Sequence, residues 1–107
     1  MQSAEVWVAM VDDEVAGYAV TRNPGDDGLL LENLAVVPGH QRRGIGRALI
    51  AHVEARAMAR GAVFVELFTL EAMTENRRLY MRLGYEEIGY LVERGYRRVL
   101  MEKTMNG

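Results

Sequence analysis

The chain of 107 residues contains no cysteine. That absence excludes disulfides, thiolate metal sites and a covalent cysteine nucleophile. Histidine is almost as scarce. His40 and His52 stand apart, with no second histidine or carboxylate at ligand spacing, so no metal site is expected. No apolar run approaches the roughly 18–20 residues that a membrane span needs. The start, Met1-Gln2-Ser3-Ala4-Glu5, lacks the basic residues and apolar stretch of a secretory signal. The expectation is therefore a cytoplasmic protein without membrane attachment. Low-complexity segments and internal repeats are also missing. A formal net charge of −2 argues against nucleic acid as a partner and permits a cationic one.

What is present suits one small domain spanning residues 1–107. Half of the residues are hydrophobic, enough for a packed core. A chain this short buries only roughly 60–70% of its unfolded surface, so its stability on its own should be modest.

Residues 5–11 and 14–21 are rich in Val, Ala and aromatic residues on either side of Asp12-Asp13, and read as a strand hairpin. Residues 22–28 form a loop by composition. Residues 28–37 read as a long apolar strand interrupted by Glu32-Asn33 and stopped by Pro38, which cannot donate to a ladder. A helix is expected over 44–60, with Ile45, Leu49, Val53 and Ala57 on one face and Ala48 filling it. Gly61 stops that helix. Residues 62–69 form a strand with Val63, Val65 and Leu67 on one side and Phe64, Glu66 and Phe68 on the other. Thr74 is placed to cap a second helix that ends at Leu83-Gly84. Strands over 85–93 and 97–105 follow, around a turn at Gly95. The order β-β-β-α-β-α-β-β predicts a mixed α/β fold, with a mostly antiparallel sheet and helices packed on its faces.

The segment from Leu34 to Leu49 carries the chemistry. A buried strand ends, a glycine-containing turn follows, and a helix begins at once. Such a helix start presents unpaired N–H groups and the positive end of the helix dipole. Gly44 and Gly46 leave room for an anion to approach the backbone, and Arg42, Arg43 and Arg47 add positive charge. The segment is suited to a phosphate or pyrophosphate. It is neither a Walker loop, since no Gly-Lys-Ser/Thr occurs, nor a dinucleotide fingerprint, since Arg47-Ala48-Leu49 follows Gly44-Ile45-Gly46. By itself, the glycine pair is equally compatible with a purely structural turn.

Gln41-Arg42-Arg43-Gly44-Ile45-Gly46 resembles the Gln/Arg-x-x-Gly-x-Gly/Ala motif of the GCN5-related N-acetyltransferases, directly after a strand reading Leu-Ala-Val-x-Pro. Asn76-Arg77-Arg78-Leu79-Tyr80 with Leu83-Gly84-Tyr85 is similar to the family's second signature. The resemblance spans about residues 5 to 105. It implies acetyl-CoA as the donor and an amine as the acceptor. It places the pantetheine arm where the strands ending near Val37 and Thr69 separate, paired with the backbone of Leu34, Ala35 and Val36. The pyrophosphate would lie on the N–H groups of Arg42, Arg43, Gly44, Ile45, Gly46 and Arg47, with Gln41 opening the motif.

By the same resemblance Tyr80 protonates the departing thiolate, where the alternative is a tyrosine packed on the sheet with a locally satisfied hydroxyl. Asn76, one turn earlier, would contact the cofactor; relatives often carry that asparagine where this chain has Met73. Glu32 is the candidate general base. Two residues before Leu34, it should share that residue's face, and burial there would raise its pKa toward the range a base needs. The alternative for Glu32 is a surface pair with an arginine. Glu66 and water are the other candidates for the base. His40 and His52 read as solvated or structural, and Arg77, Arg78 and Arg82 as a solvated helix face.

Relatives usually place a strand and one or two helices before the hairpin that begins here at Glu5, and those helices wall the acceptor site. This chain has four residues there and is identified as an N-terminally shortened member. An open acceptor site, a wall from a second subunit in a homodimer, or loss of the acceptor function would follow. The expected activity is acetyl transfer to a primary amine by direct attack in a ternary complex. The alternative is a non-catalytic acyl-CoA-binding or assembly module.

Overall fold

The computed structural model describes residues 4–23, 25 and 27–105. The loop expected over 22–28 and the chain start lie partly outside them. Strands β1 (Glu5–Val11), β2 (Glu14–Arg22), β3 (Gly28–Val36), β4 (Phe64–Leu70), β5 (Glu86–Glu93) and β6 (Tyr96–Thr104) alternate with helices α1 (Ile45–Ala59) and α2 (Thr74–Arg82) in the expected order. They form one six-stranded sheet in the order β1-β2-β3-β4-β6-β5. Only β3 and β4 run parallel. Every other neighbouring pair is antiparallel.

Hairpin chemistry sets both ends of the sheet. Asp12 and Asp13 have φ of 49° and 65°, and Arg94 and Gly95 have 53° and 81°. Two consecutive left-handed residues give the turn whose twist matches paired strands.

The core lies on one face of the sheet. Ala19 and Thr21 of β2, Leu29 and Leu31 of β3, Val65 and Leu67 of β4, and Val99 and Met101 of β6 are all buried. Their registers place them side by side. Leu49, Ile50, Val53 and Ala57 of α1 join the same cluster, as does Tyr80 of α2. Both helices therefore pack on a single face of the mixed, mostly antiparallel sheet that the element order predicts. The second face carries Val6, Val8 and Met10, each more than half exposed, beside the less exposed Tyr18, Val20, Phe64, Glu66 and Phe68. Near its centre Glu66 faces Glu102 across the β4–β6 ladder. Burial, and then the neighbouring Glu102 charge, raise the Glu66 pKa above the usual carboxylate value.

Three local expectations are corrected. Ala48 is exposed and Ile50 takes its place in the core, because the 100° step of a helix carries the face across from Leu49 to Ile50. Thr74 is the first helical residue rather than the cap. Its hydroxyl donates back to the Ala72 carbonyl at 3.4 Å, and Met73 holds the cap position without a side-chain bond. Arg77 is not merely solvated. It donates to both oxygens of Glu87 at 2.6 and 3.1 Å and to the Glu71 carbonyl at 2.9 Å, tying α2 to β5. That pairing lowers the Glu87 pKa.

Gly17 seats α1. A Cβ at this position would lie 2.7 Å from the Ala35 carbonyl oxygen and 3.2–3.3 Å from Ile45 and Leu49. The start of α1 thus rests on bare backbone at the ends of β2 and β3. Gly17→Ala is expected to cost about 1–3 kcal/mol of stability through overpacking. Gly39→Ala, whose Cβ would meet nothing within 4 Å, is the control in the same denaturation series.

Candidate active site

The site begins with an irregularity in β3. Val20 pairs with Asn33 and Thr21 with Leu31, so Glu32 has no partner on β2. This is a β-bulge, which bends the strand that carries it. Immediately before it the parallel ladder stops: Leu31 pairs with Leu67, the last pair between β3 and β4. Yet β3 continues to Val36 and β4 to Leu70. The two strands therefore splay, and the β4-facing edge of residues 32–36 carries no ladder. An unladdered edge is free to pair with another extended chain.

The splay opens a cleft of about 270 Å³. Leu34, Thr69, Met73, Asn76 and Tyr80 line it from the helical side, and Phe68 and Arg98 from the other. Its lining thus comes from both faces of the sheet. Arg98 lies 5.2 Å from the Phe68 ring centroid and donates to Glu93 at 3.3 Å.

Tyr80 is 7% exposed, and its hydroxyl has no hydrogen-bond partner among the described residues. The local satisfaction that a packing tyrosine would show is missing. Burial raises its pKa above 10.0, which keeps the phenol protonated. Asn76 also borders the cleft, with its Nδ2 3.8 Å from the Met73 sulfur.

Glu32 lines the cleft but is not buried. Its side chain is 41% exposed and forms an ion pair with Arg22. The bulge is the reason. Leu31 and Leu34 stand three residues apart yet face Thr21 and Ala19 on the core side, so Glu32 does not share the face of Leu34 as simple alternation required. It lies instead with Arg22 on the second face. Glu66 is not among the residues that line the cleft.

At the end of β3 the chain turns through a single 3-10 turn, Pro38–His40, into α1. Gln41 Nε2 donates to the Val36 carbonyl at 3.4 Å, which folds the turn back onto the strand. Arg42 and Gly44 adopt φ of 67° and 78°, and Gly44 caps α1 without any side-chain bond. The first backbone bond into the helix is Ala48 N–H to Gly44 O at 3.0 Å. The N–H groups of residues 42–47 have no carbonyl acceptor among the described residues. A Cβ at Gly46 would meet only Val36 Cγ2, at 3.8 Å, and one at Gly44 nothing within 4 Å. Protein packing thus requires glycine at neither position. Backbone conformation requires it at 44, and the space beside 46 opens outward. Six unspent donors at a helix start, with Arg42, Arg43 and Arg47 exposed around them, fit a pyrophosphate.

The arginine pair named as the alternative for Glu32 is what the structure shows; the features not visible in the sequence were the bulge at Glu32, the identity of Arg22 as the partner, and Phe68 and Arg98 at the cleft. Tyr85 is another, with its hydroxyl bonded to Glu54 on α1. His40 sits 3.6 Å from Glu14 with little exposure, and His52 packs edge-on against Trp7. Among the described residues no cluster of His, Asp or Glu is arranged to hold a metal, and no helix is long and apolar enough to cross a membrane.

A splayed parallel pair, an open helix start and a tyrosine in the cleft make up the candidate site, and the comparisons give the family of the chain. The family model described as an acetyltransferase (GNAT) domain matches residues 2–87. The chain belongs to the GNAT acetyltransferase family. It is 37% identical over 76 residues to the [ribosomal protein bS18]-alanine N-acetyltransferase of Salmonella typhimurium, covering 71% of this chain and 51% of that one. The chain spans about half the length of the curated relatives it matches. The crystal structure of nourseothricin acetyltransferase superimposes with a TM-score of 0.88 at 27% identity, over 96% of this chain and 66% of that one. A GNAT acetyltransferase from Elizabethkingia anophelis with acetyl-CoA bound shares the fold with a TM-score of 0.86 at 20% identity, over 95% and 76%.

Proposed function

We propose that the chain is an acetyl-CoA-dependent N-acetyltransferase that moves an acetyl group to a primary amine by direct attack in a ternary complex. The observation that carries this is Tyr80, a buried phenol with an unspent hydroxyl in a cleft formed where β3 and β4 part. In this reading residues 1–107 act as one acyl-CoA-binding domain.

The free edge of β3 at Leu34, Ala35 and Val36 pairs with the pantetheine arm and aims the thioester. The turn from Gln41 to Arg47 holds the pyrophosphate, and Asn76 contacts the arm from α2. The amine nitrogen attacks the thioester carbonyl carbon, and a backbone N–H near Ala35 or Val36 stabilises the oxyanion. As the tetrahedral adduct collapses the C–S bond breaks. Tyr80 gives its proton to the sulfur, and the phenolate regains one from solvent. The proton lost by the amine goes to Glu32, directly or through water. Glu32 is favoured over Glu66 because it borders the cleft.

The acceptor reaches the thioester from the second face of the sheet. The Salmonella relative is named for a protein alanine and the solved neighbour for nourseothricin, so the acceptor class does not follow from the family. A CoA thioester as donor favours a cytoplasmic setting, without membrane or nucleic-acid partners. The edge strands β1 and β5 both expose apolar side chains, Val6 and Val8 on one and Tyr90 and Val92 on the other, which supports a homodimer.

A free-thiol assay over a panel of amines tests the proposal. Amine-dependent release of CoA is expected. Glu32→Gln should lower kcat/KM for the amine by about tenfold or more, and Glu66→Gln by less. Binding of acetyl-CoA with no release under any amine would select the alternative, a non-catalytic acyl-CoA-binding or assembly module.

A further inference from the structure

Tyr85 lies just beyond α2, 2% exposed, and is bound to Tyr80 in two ways. Its backbone N–H donates to the Tyr80 carbonyl at 2.9 Å, across a turn that Gly84 makes with φ of 99°. Its ring stands edge-on to the Tyr80 ring, with centroids 6.0 Å apart and planes at 67°, the arrangement that aromatic quadrupoles favour. The Tyr85 hydroxyl donates to Glu54 Oε2 of α1 at 2.9 Å, and Lys103 Nζ of β6 donates to the other oxygen at 3.0 Å. Lys103 is itself pressed against the turn, since a Cβ on Gly84 would lie 3.2 Å from its Cε. A chain of contacts thus runs from a partly buried ion pair, through one buried ring, to the ring whose hydroxyl is free in the cleft.

A buried tyrosine needs a partner for its hydroxyl, and Glu54 satisfies that need for Tyr85. Tyr80 has none. One ring of the stacked pair is anchored at its polar end, and the other packs against it within the core cluster with no polar anchor among the described residues. Fixing a reacting group within a fraction of an ångström matters because small misplacements cost large factors in rate.

We propose that Tyr85, anchored through its hydroxyl to the Glu54–Lys103 pair, is a positioning residue that holds the Tyr80 phenol in place for proton delivery in the cleft. The proposal rests on the acetyltransferase reading above. Tyr85 touches neither substrate nor thioester and acts only through Tyr80.

The test uses the full chain, acetyl-CoA and the best amine of the panel. Tyr85→Phe and Glu54→Gln should each lower kcat by about tenfold and leave KM for acetyl-CoA within about twofold of the wild type. In a Tyr80→Phe background, Tyr85→Phe should cost nothing further, because the two residues act as one unit. A second readout does not depend on turnover. In the chain labelled with carbon-13 tyrosine, the Tyr80 ring resonance should move when acetyl-CoA alone is added, and Tyr85→Phe should broaden it and reduce that response. A Tyr80 resonance that responds identically in the wild type and in Tyr85→Phe would overturn the positioning role while leaving the acetyl-CoA site intact. So would a kcat loss that persists in the Tyr80→Phe background. A wild-type Tyr80 resonance indifferent to acetyl-CoA would remove the reading of the cleft as the donor site, and the positioning role with it.

Discussion

Tyr80→Phe is expected to lower kcat by about a hundredfold or more without weakening the fold. Loss of a general acid removes on the order of 10²–10⁴ in rate. The hydroxyl that is deleted makes no hydrogen bond among the described residues, so its removal strands no partner. The ring that remains keeps its place against Tyr85. The thermal midpoint should therefore hold or rise while turnover falls, a combination that a merely structural tyrosine does not give. The pH profile carries the same signature. The active form is the protonated phenol, and burial pushes its pKa above 10.0, so the protonated form persists to higher pH than in a free tyrosine. Ionisation of Tyr80 should produce no fall in kcat from pH 7 to 9; its alkaline limb lies beyond pH 10. A limb in the neutral range that disappears in Tyr80→Phe would contradict the assignment.

Gly44→Glu should abolish the stabilisation that acetyl-CoA confers. A ligand present at about 100 times its dissociation constant adds roughly 2.7 kcal/mol to the stability of the state that binds it, a clear rise in thermal midpoint. The substitution puts a carboxylate beside donors suited to a pyrophosphate. It also forces a side chain onto a backbone with φ of 78°, at a cost of about 1–2 kcal/mol. Gly44→Ala separates the two effects, since it carries the same backbone strain without the charge, and no protein atom lies within 4 Å of the added Cβ. Gly44→Ala should unfold at a lower temperature than the wild type yet still gain from acetyl-CoA. Gly44→Glu should not gain. Equal gains in all three chains would show that the donor is held elsewhere.

The fold was legible wherever local pattern and tertiary role coincide. Asp12-Asp13 and Gly95 are residue types that tolerate the positive φ a tight hairpin turn needs, and the faces of β4 follow from strict alternation. The glycine turn before α1 could be read as an anion site because the helix-start donors belong to the backbone, whatever the side chains. Legibility ended where one residue broke a period. Glu32 and Leu34 were assigned to a shared face by counting in twos, and the bulge at Glu32 made that count wrong. No composition signal marks a bulge at a glutamate, as a glycine would have done. Its partner Arg22 sits ten residues away on another strand, out of reach of any local rule. The bond of Tyr85 to Glu54 was equally hidden, because it joins a loop to a helix 31 residues earlier. Thr74 shows the opposite error: a residue type suited to capping, set one position too late to cap.

The bulge has a consequence for how this sequence can vary. Side chains alternate along a strand, so a substitution at Glu32 alters the chemistry of the cleft and leaves every later residue facing as before. Deletion of that one residue would instead make the ladder regular, with Leu31 still opposite Thr21 and Asn33 still opposite Val20. Leu34 would stay against Ala19, and the bend at the bulge would be lost. The position is thus tolerant of changes in letter and intolerant of changes in length. The cleft persists through any alphabet at residue 32 so long as residue 32 exists.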